Sequence, residues 1–291
     1  MDEVLIATIG GVLTLIFWGT HDWLTSKSSK RFSGSEVNLA IQISGAFIMA
    51  LILLISSESF PSAGHTLILM TASALFTIAY LCFIKALSSG EAGIVVPLGN
   101  TYPLITLLFT ATFLTVNFTL KQILAMLVII VGAMLLGVEK VNWRKTHQSF
   151  SREALLALMA ALFWGIGFFI VNTVVDELSW ESTLGVVSIS MGVYALIISV
   201  VKSRNETSRA VHRLLENKIG LASGLVLTAG SIAFYVSAEE SGSVLIPAVI
   251  AAGSPLVASL LATIFDKEKL ILVKRIGAIC VVTGVVLLNI R

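Results

Sequence analysis

Apolar runs of about twenty residues follow one another through almost the whole chain, with only short polar connections between them. A helix of twenty residues is about 30 Å long, the hydrocarbon thickness of a bilayer. Ten such segments are predicted, at 4–24, 37–56, 65–87, 92–114, 119–138, 154–175, 182–201, 218–238, 243–265 and 270–290. Of the 291 residues 56% are apolar and only 12% charged, where a soluble domain carries about 25% charge. Such a chain cannot cover a soluble surface of its size. The predicted class is an all-α integral membrane protein, with the lipid bilayer as its first partner and no room in the connections for a soluble domain.

The net charge of +2 gives no reason to expect nucleic acid as a partner. Where the basic residues fall is more informative. All but Lys121 and Arg291 of the 19 Lys and Arg residues lie in or beside the connections that follow the odd-numbered segments. Lys and Arg collect on the cytoplasmic side of a membrane. The chain is therefore predicted to be a multi-pass protein of the cell membrane with both termini extracytoplasmic. The start, Met1-Asp2-Glu3, has no basic region before its apolar run, so that run reads as a permanent span, not a signal peptide. Cys82 and Cys280 lie in apolar runs and read as small hydrophobes rather than a disulfide or a metal pair.

The chain repeats itself. A shift of 152 positions pairs Ser89-Gly90 with Ser241-Gly242, Pro103-Leu104 with Pro255-Leu256, Phe113 with Phe265 and Gly132 with Gly284. Near the start of each half, Phe17-Trp18-Gly19 matches Phe163-Trp164-Gly165 at a shift of 146. The organisation predicted is a first five-helix repeat at 1–139, a cytoplasmic linker at 140–152 and a second repeat at 153–291. Five spans per repeat turn the second repeat upside down. Four of the five prolines, Pro97, Pro103, Pro247 and Pro255, fall in the fourth span of each half. Proline removes a backbone donor, and backbone freed inside a bilayer survives only where protein, water or a ligand satisfies it. Paired interruptions of this kind mark the binding site of a secondary transporter.

These features together resemble the EamA-type drug/metabolite transporters. The resemblance rests on the two Phe-Trp-Gly openings, on Ile94-Val95-Val96-Pro97 followed by Tyr102-Pro103-Leu104-Ile105-Thr106, and on Asp266-Lys267-Glu268-Lys269-Leu270 with Gly277 and Gly284 after it. It implies a basket of helices around a central cavity, lined by the first, third and fourth spans of each repeat, with the fifth spans peripheral. The chain departs from the family pattern at Val116, which stands opposite Glu268, and at His21-Asp22, where Asn is common.

Ionisable groups are costly inside a span and mark functional candidates. His21 and Asp22 are the deepest, about 10–12 Å past the centre of the first span. Thr14, Trp18 and His21 share one helical face at i, i+4, i+7. The plainer alternative places His21 and Asp22 in the headgroup zone, with Trp18 and Trp23 as interfacial aromatics. Asn100, Thr101 and Tyr102 sit at the centre of the fourth span. The amide of Asn100 offers a donor and an acceptor to a polar ligand, or an interhelical bond that fixes packing. Trp164 mirrors Trp18. Asn172 lies eight residues further on, near the same face. Tyr80 and Thr77, and Tyr235 and Ser231, would offer hydroxyls to the cavity if the family arrangement holds. Tyr194 reads as structural.

The predicted substrate-binding set is thus Trp18, His21, Tyr80, Asn100, Tyr102, Trp164, Asn172 and Tyr235, with Pro97, Pro103, Pro247 and Pro255 as hinges. No catalytic residue, metal ligand or cofactor is expected. The first span has no carboxylate at its middle, which argues against a proton-for-lipophilic-cation exchanger of the small multidrug type. The function predicted is a secondary transporter moving a small polar metabolite, a sugar or other neutral solute, by alternating access. An exporter of amino acids or drug-like metabolites is the alternative on the same fold. A membrane scaffold, or an enzyme acting on lipid, would be of a different class. His21 and Asp22 diverge by about 100° on a helix and make a poor catalytic dyad. Neither a monomer nor a homodimer is favoured.

Overall fold

A computed structural model of the chain describes residues 3–56, 58, 60–89, 95, 98–114, 118–137, 152–202, 207–267 and 271–289. Among these residues every regular element is a helix. In chain order they are α1 (Glu3–Ser28), α2 (Gly34–Ile55), α3 (Ala63–Ser89), α4 (Tyr102–Phe113), α5 (Leu120–Gly137), α6 (Arg152–Asn172), α7 (Trp180–Lys202), α8 (Thr207–Glu216), α9 (Lys218–Ser241), α10 (Leu245–Ala251), α11 (Pro255–Phe265) and α12 (Leu272–Asn289). Seven helical stretches are long and apolar enough to cross a membrane: α1, α2, most of α3, α6, α7, α9, and α10 with α11 taken together. The predicted ten spans are not all matched at that length. The described part of the fourth is α4, of 12 residues, and α5 and α12 have 18 residues each. The polar connection near 202–217 holds a further helix, α8, which the apolar pattern did not announce.

Several ends are fixed by local chemistry. The Asn217 carboxamide caps α9 by accepting from the Gly220 N–H at 2.9 Å. At the other end of α9, Gly242 takes φ +65°, a left-handed turn that costs a glycine little. The Ser33 N–H donates to Glu36 Oε2 at 2.7 Å and closes the first turn of α2.

The packing follows the repeat. α1 lies on α9 and α3 on α6, α2 lies on α7, and α5 lies on α12. α4 packs on α6, while α10 and α11 pack on α1. Exchanging the two halves reproduces this set of partners. The match extends to atoms. A methyl group at Gly19 would meet the Ser254 carbonyl, and Val257 Cβ at 2.6 Å. A methyl group at Gly165 would meet Ile105 Cβ, and the Tyr102 carbonyl at 2.8 Å. Ser254 and Val257 are Tyr102 and Ile105 shifted by 152 positions. The glycine of each Phe-Trp-Gly therefore lets its helix lie directly on the fourth span of the other half.

The far ends of these contacts are also paired. Trp23 packs on Phe265 with ring centres 5.3 Å apart, and Phe169 packs on Phe113 at 5.9 Å. Only the first pair carries charge. The Trp23 indole donates to Asp266 Oδ2 at 2.9 Å, and the Lys27 ammonium donates to Asp266 Oδ1. These donors, the ammonium first, hold the Asp266 carboxyl below its usual range.

Two outcomes are expected. Gly19→Ala and Gly165→Ala should each overpack the helix contact and cost roughly 1–3 kcal/mol, read as a lower unfolding midpoint in detergent; unchanged midpoints would show the contacts to be loose. The lowered Asp266 value means that its contribution is present above the ordinary carboxyl pKa of 3.8 and is lost as pH falls through the folded value. Wild type should therefore be more stable than Asp266→Asn at neutral pH, and the gap should close on acidification below that range. A gap independent of pH would assign the effect to packing.

Candidate functional site

The fourth spans break where their prolines and small residues predict. In the second half the chain leaves α10 at Ala251 and re-enters α11 at Pro255. The Gly253 N–H donates to Ile250 O at 3.0 Å, the Ser254 N–H to Ala251 O at 2.9 Å and the Leu256 N–H to Gly253 O at 2.9 Å. The first half does the same before α4. The Thr101 N–H donates to Leu98 O at 3.2 Å and the Leu104 N–H to Thr101 O at 3.0 Å. Tight i to i+3 bonds thus replace the helical ladder at matched positions. Proline at 255 leaves the Ala251 carbonyl without its usual donor, and the Ser254 N–H takes that place.

Beside these breaks lies a cavity with about 990 Å³ of empty space, counting its open mouth. Seven of the eight predicted binding residues line it: Trp18, His21, Tyr80, Asn100, Tyr102, Trp164 and Tyr235. Asn172 does not. Its carboxamide oxygen accepts from the Val244 N–H at 2.8 Å and the Ser243 hydroxyl at 3.2 Å, so it ties the end of α6 to the start of α10. The eight-residue spacing leaves it about 80° round the helix from Trp164, outside the lining. Thr77 is also absent from the wall; its hydroxyl turns back to the Ser73 carbonyl at 2.9 Å. Thr14 joins α1 to α9 through the Gly230 carbonyl at 3.1 Å. Among the prolines, Pro103 lies in the first turn of α4, Pro247 lies within α10 and Pro255 starts α11, while Pro97 lies outside the described residues. The Tyr194 hydroxyl donates to the Met70 carbonyl at 3.4 Å.

Aromatic rings form much of the wall. Trp18 stacks on Phe234 with ring centres 5.5 Å apart at 20°. Trp164 meets Tyr80 at 5.4 Å and 88°, and Tyr102 at 6.1 Å and 68°. The Tyr102 hydroxyl donates to the Ala248 carbonyl at 3.1 Å, which ties the break in one half to α10 of the other. The Trp18 indole N–H is buried and has no acceptor among the described residues.

His21 is held by α9. Its Nδ1 lies 3.1 Å from the Ser223 carbonyl and 2.8 Å from the Ser223 hydroxyl. A carbonyl can only accept, so Nδ1 carries a proton. In the neutral ring Nε2 is then the acceptor. The Ser223 hydroxyl in turn reaches the His21 carbonyl at 3.0 Å and the Thr25 hydroxyl at 2.8 Å. Asp22, one residue on, also lines the cavity, and its Oδ2 accepts from the Ser254 hydroxyl at 3.1 Å.

The second spans contribute walls that the sequence reading did not assign. Gln42 comes from α2, and Leu184, Val187, Ser188 and Met191 come from α7. Asn38 and Gln42 are both buried on α2. Two amides one turn apart inside an apolar helix were the available signal for the α2 face. Among the described residues, no group of three His, Cys, Asp or Glu side chains is placed to hold a metal ion.

The chain matches the EamA-like transporter family twice, over residues 5–138 and 151–290. An uncharacterized protein of Methanocaldococcus jannaschii is 28% identical over 143 residues, which are 47% of this chain and 98% of that protein. About one repeat of this chain thus corresponds to nearly the whole of that relative. A solved crystal structure superposes with a TM-score of 0.75 at 15% identity, covering 97% of this chain and 96% of its own; at that identity the likeness speaks for the fold alone. With both matches spanning nearly the whole sequence, the chain belongs to the EamA-like transporter family and is a multi-pass membrane transporter.

Proposed function

We propose that the protein is a secondary transporter that moves a small polar metabolite by alternating access through the cavity between its two repeats. The observation that carries this reading is the position of the cavity. It lies against two broken fourth spans, each packed on the Phe-Trp-Gly helix of the other half. Substrate sites of repeat-built transporters occupy such places. In this reading the chain has ten spans as two inverted repeats, 1–139 and 153–291, with 140–152 as a cytoplasmic linker. The exchange of helix partners between the halves supports that arrangement. The Lys/Arg asymmetry supports extracytoplasmic termini in the cell membrane.

Trp18 and Trp164 serve as shelves for the solute, Asn100 and Tyr102 recognise its polar edge, and His21, Tyr80 and Tyr235 complete the wall. Pro103 and Pro255, with Pro97 and Pro247, mark where the fourth spans flex. The sequence alone points to a sugar or other neutral solute. Asp22 in the wall removes that ground, so the substrate class here stays a small polar solute. An amino acid or drug-like metabolite remains the second reading, because the same carboxylate suits an amino group.

Cysteine labelling tests alternating access without a known substrate. Ser231→Cys is placed in the cavity in a background lacking Cys82 and Cys280, and Lys30→Cys serves as a reference in a basic connection. A membrane-impermeant maleimide should label position 231 in both right-side-out and inverted vesicles, and position 30 only in inverted ones. Labelling of position 231 from one side alone would contradict alternating access, and labelling of position 30 from outside would reverse the orientation.

A further inference from the structure

We propose that the cavity takes a monocationic ammonium solute, with Asp22 as its counter-charge and the rings of Trp18, Tyr80, Tyr102 and Trp164 around it. This rests on the cavity being the transport site and adds the sign of the charge it selects.

Among the described residues that line the cavity, Asp22 is the one carboxylate, and none is Lys or Arg. Lys27, five residues along the same helix, is engaged by Asp266. His21 keeps its Nδ1 proton on Ser223, and the neutral ring accounts for both bonds it makes there. Among the described residues Asp22 receives one hydroxyl, from Ser254, on Oδ2. An ionised carboxylate has about four acceptor sites, so one hydroxyl leaves most of them for a ligand. A charge removed from water and left without a partner is costly. A cationic solute supplies the partner.

The rings supply the rest. A cation over an aromatic face is attracted by the ring quadrupole, more strongly where water is excluded. Trp164 and Tyr80 stand at 88°, and Trp164 and Tyr102 at 68°, so the three rings present differently oriented faces and edges around one space. Asp22 lines the same cavity as Tyr80, Tyr102 and both tryptophans, so one solute can reach the carboxylate and the rings together. A neutral sugar would stack on these rings but leave Asp22 unpaired. An anion would be repelled. A solute with one ammonium group satisfies both features.

Purified protein in detergent is titrated with tetramethylammonium and with isobutylammonium, with ionic strength held constant by sodium chloride. Uncharged tert-butanol and isobutanol serve as controls of matched size, and glucose as a neutral polar solute. The unfolding midpoint is the readout. At least one of the two cations should raise the midpoint while its uncharged partner does not. Asp22→Asn should weaken that cation at least about 30-fold while keeping its own cooperative unfolding. Trp164→Ala should weaken it as well. If Asp22→Asn fails to fold, Asp22→Glu replaces it and should retain the cation response. An equal response in Asp22→Asn, or none to either cation, overturns the inference. In the latter case a glucose response that Trp164→Ala removes would leave the transport site standing as one for a neutral solute. Absence of any response sensitive to Trp164→Ala would remove the transport site too.

Discussion

Backbone that leaves the helix inside a membrane must be satisfied by something other than lipid. The rest of this structure follows from how that is done at two matched places. Residues 98–104 and 250–256 exchange the helical ladder for tight turns. Each turn is covered by the helix that carries a Phe-Trp-Gly motif in the opposite half, with glycine at the point of contact. The contact puts Trp18 and Trp164 beside the breaks and leaves a space between the repeats that no single half encloses. The fifth helices, α5 and α12, hold the halves together at a distance through Gly132 and Gly284, each of which faces backbone of the other.

Much of this was legible in the sequence because membranes restrict what apolar segments can do. The all-helical class, the two repeats and the breaks at Pro103 and Pro255 follow from hydropathy, the 152-residue shift and proline chemistry, and with the family resemblance seven of the eight residues of the predicted binding set fall on the cavity wall. The failures have physical causes. Asn172 stands about 80° round the helix from Trp164, and a buried amide near a helix end is drawn to the unsatisfied N–H groups at the start of α10. The walls from α2 and α7 were missed because residues such as Leu184 and Val187 are apolar, like those that face lipid. α8 is short and polar, so no apolar run announced it.

The two halves share geometry but not chemistry. Position 102 is Tyr in the first break and its partner at 254 is Ser. Tyr102 donates across to Ala248, while Ser254 donates to Asp22. The contact between Trp23 and Phe265 is joined by Lys27 and Asp266, whereas that between Phe169 and Phe113 is aromatic alone. A symmetric frame with an asymmetric lining gives the cavity one acidic end.

Hydrogen–deuterium exchange across both fourth spans tests the central claim most directly, that the paired breaks border a water-filled site between the repeats. Amides near residues 98–104 and 250–256 should exchange faster than those of the neighbouring helices α4 and α11, and a bound solute should slow both segments together. Breaks as protected as the middle of α4 and α11, or a solute that slows only one of them, would contradict this account.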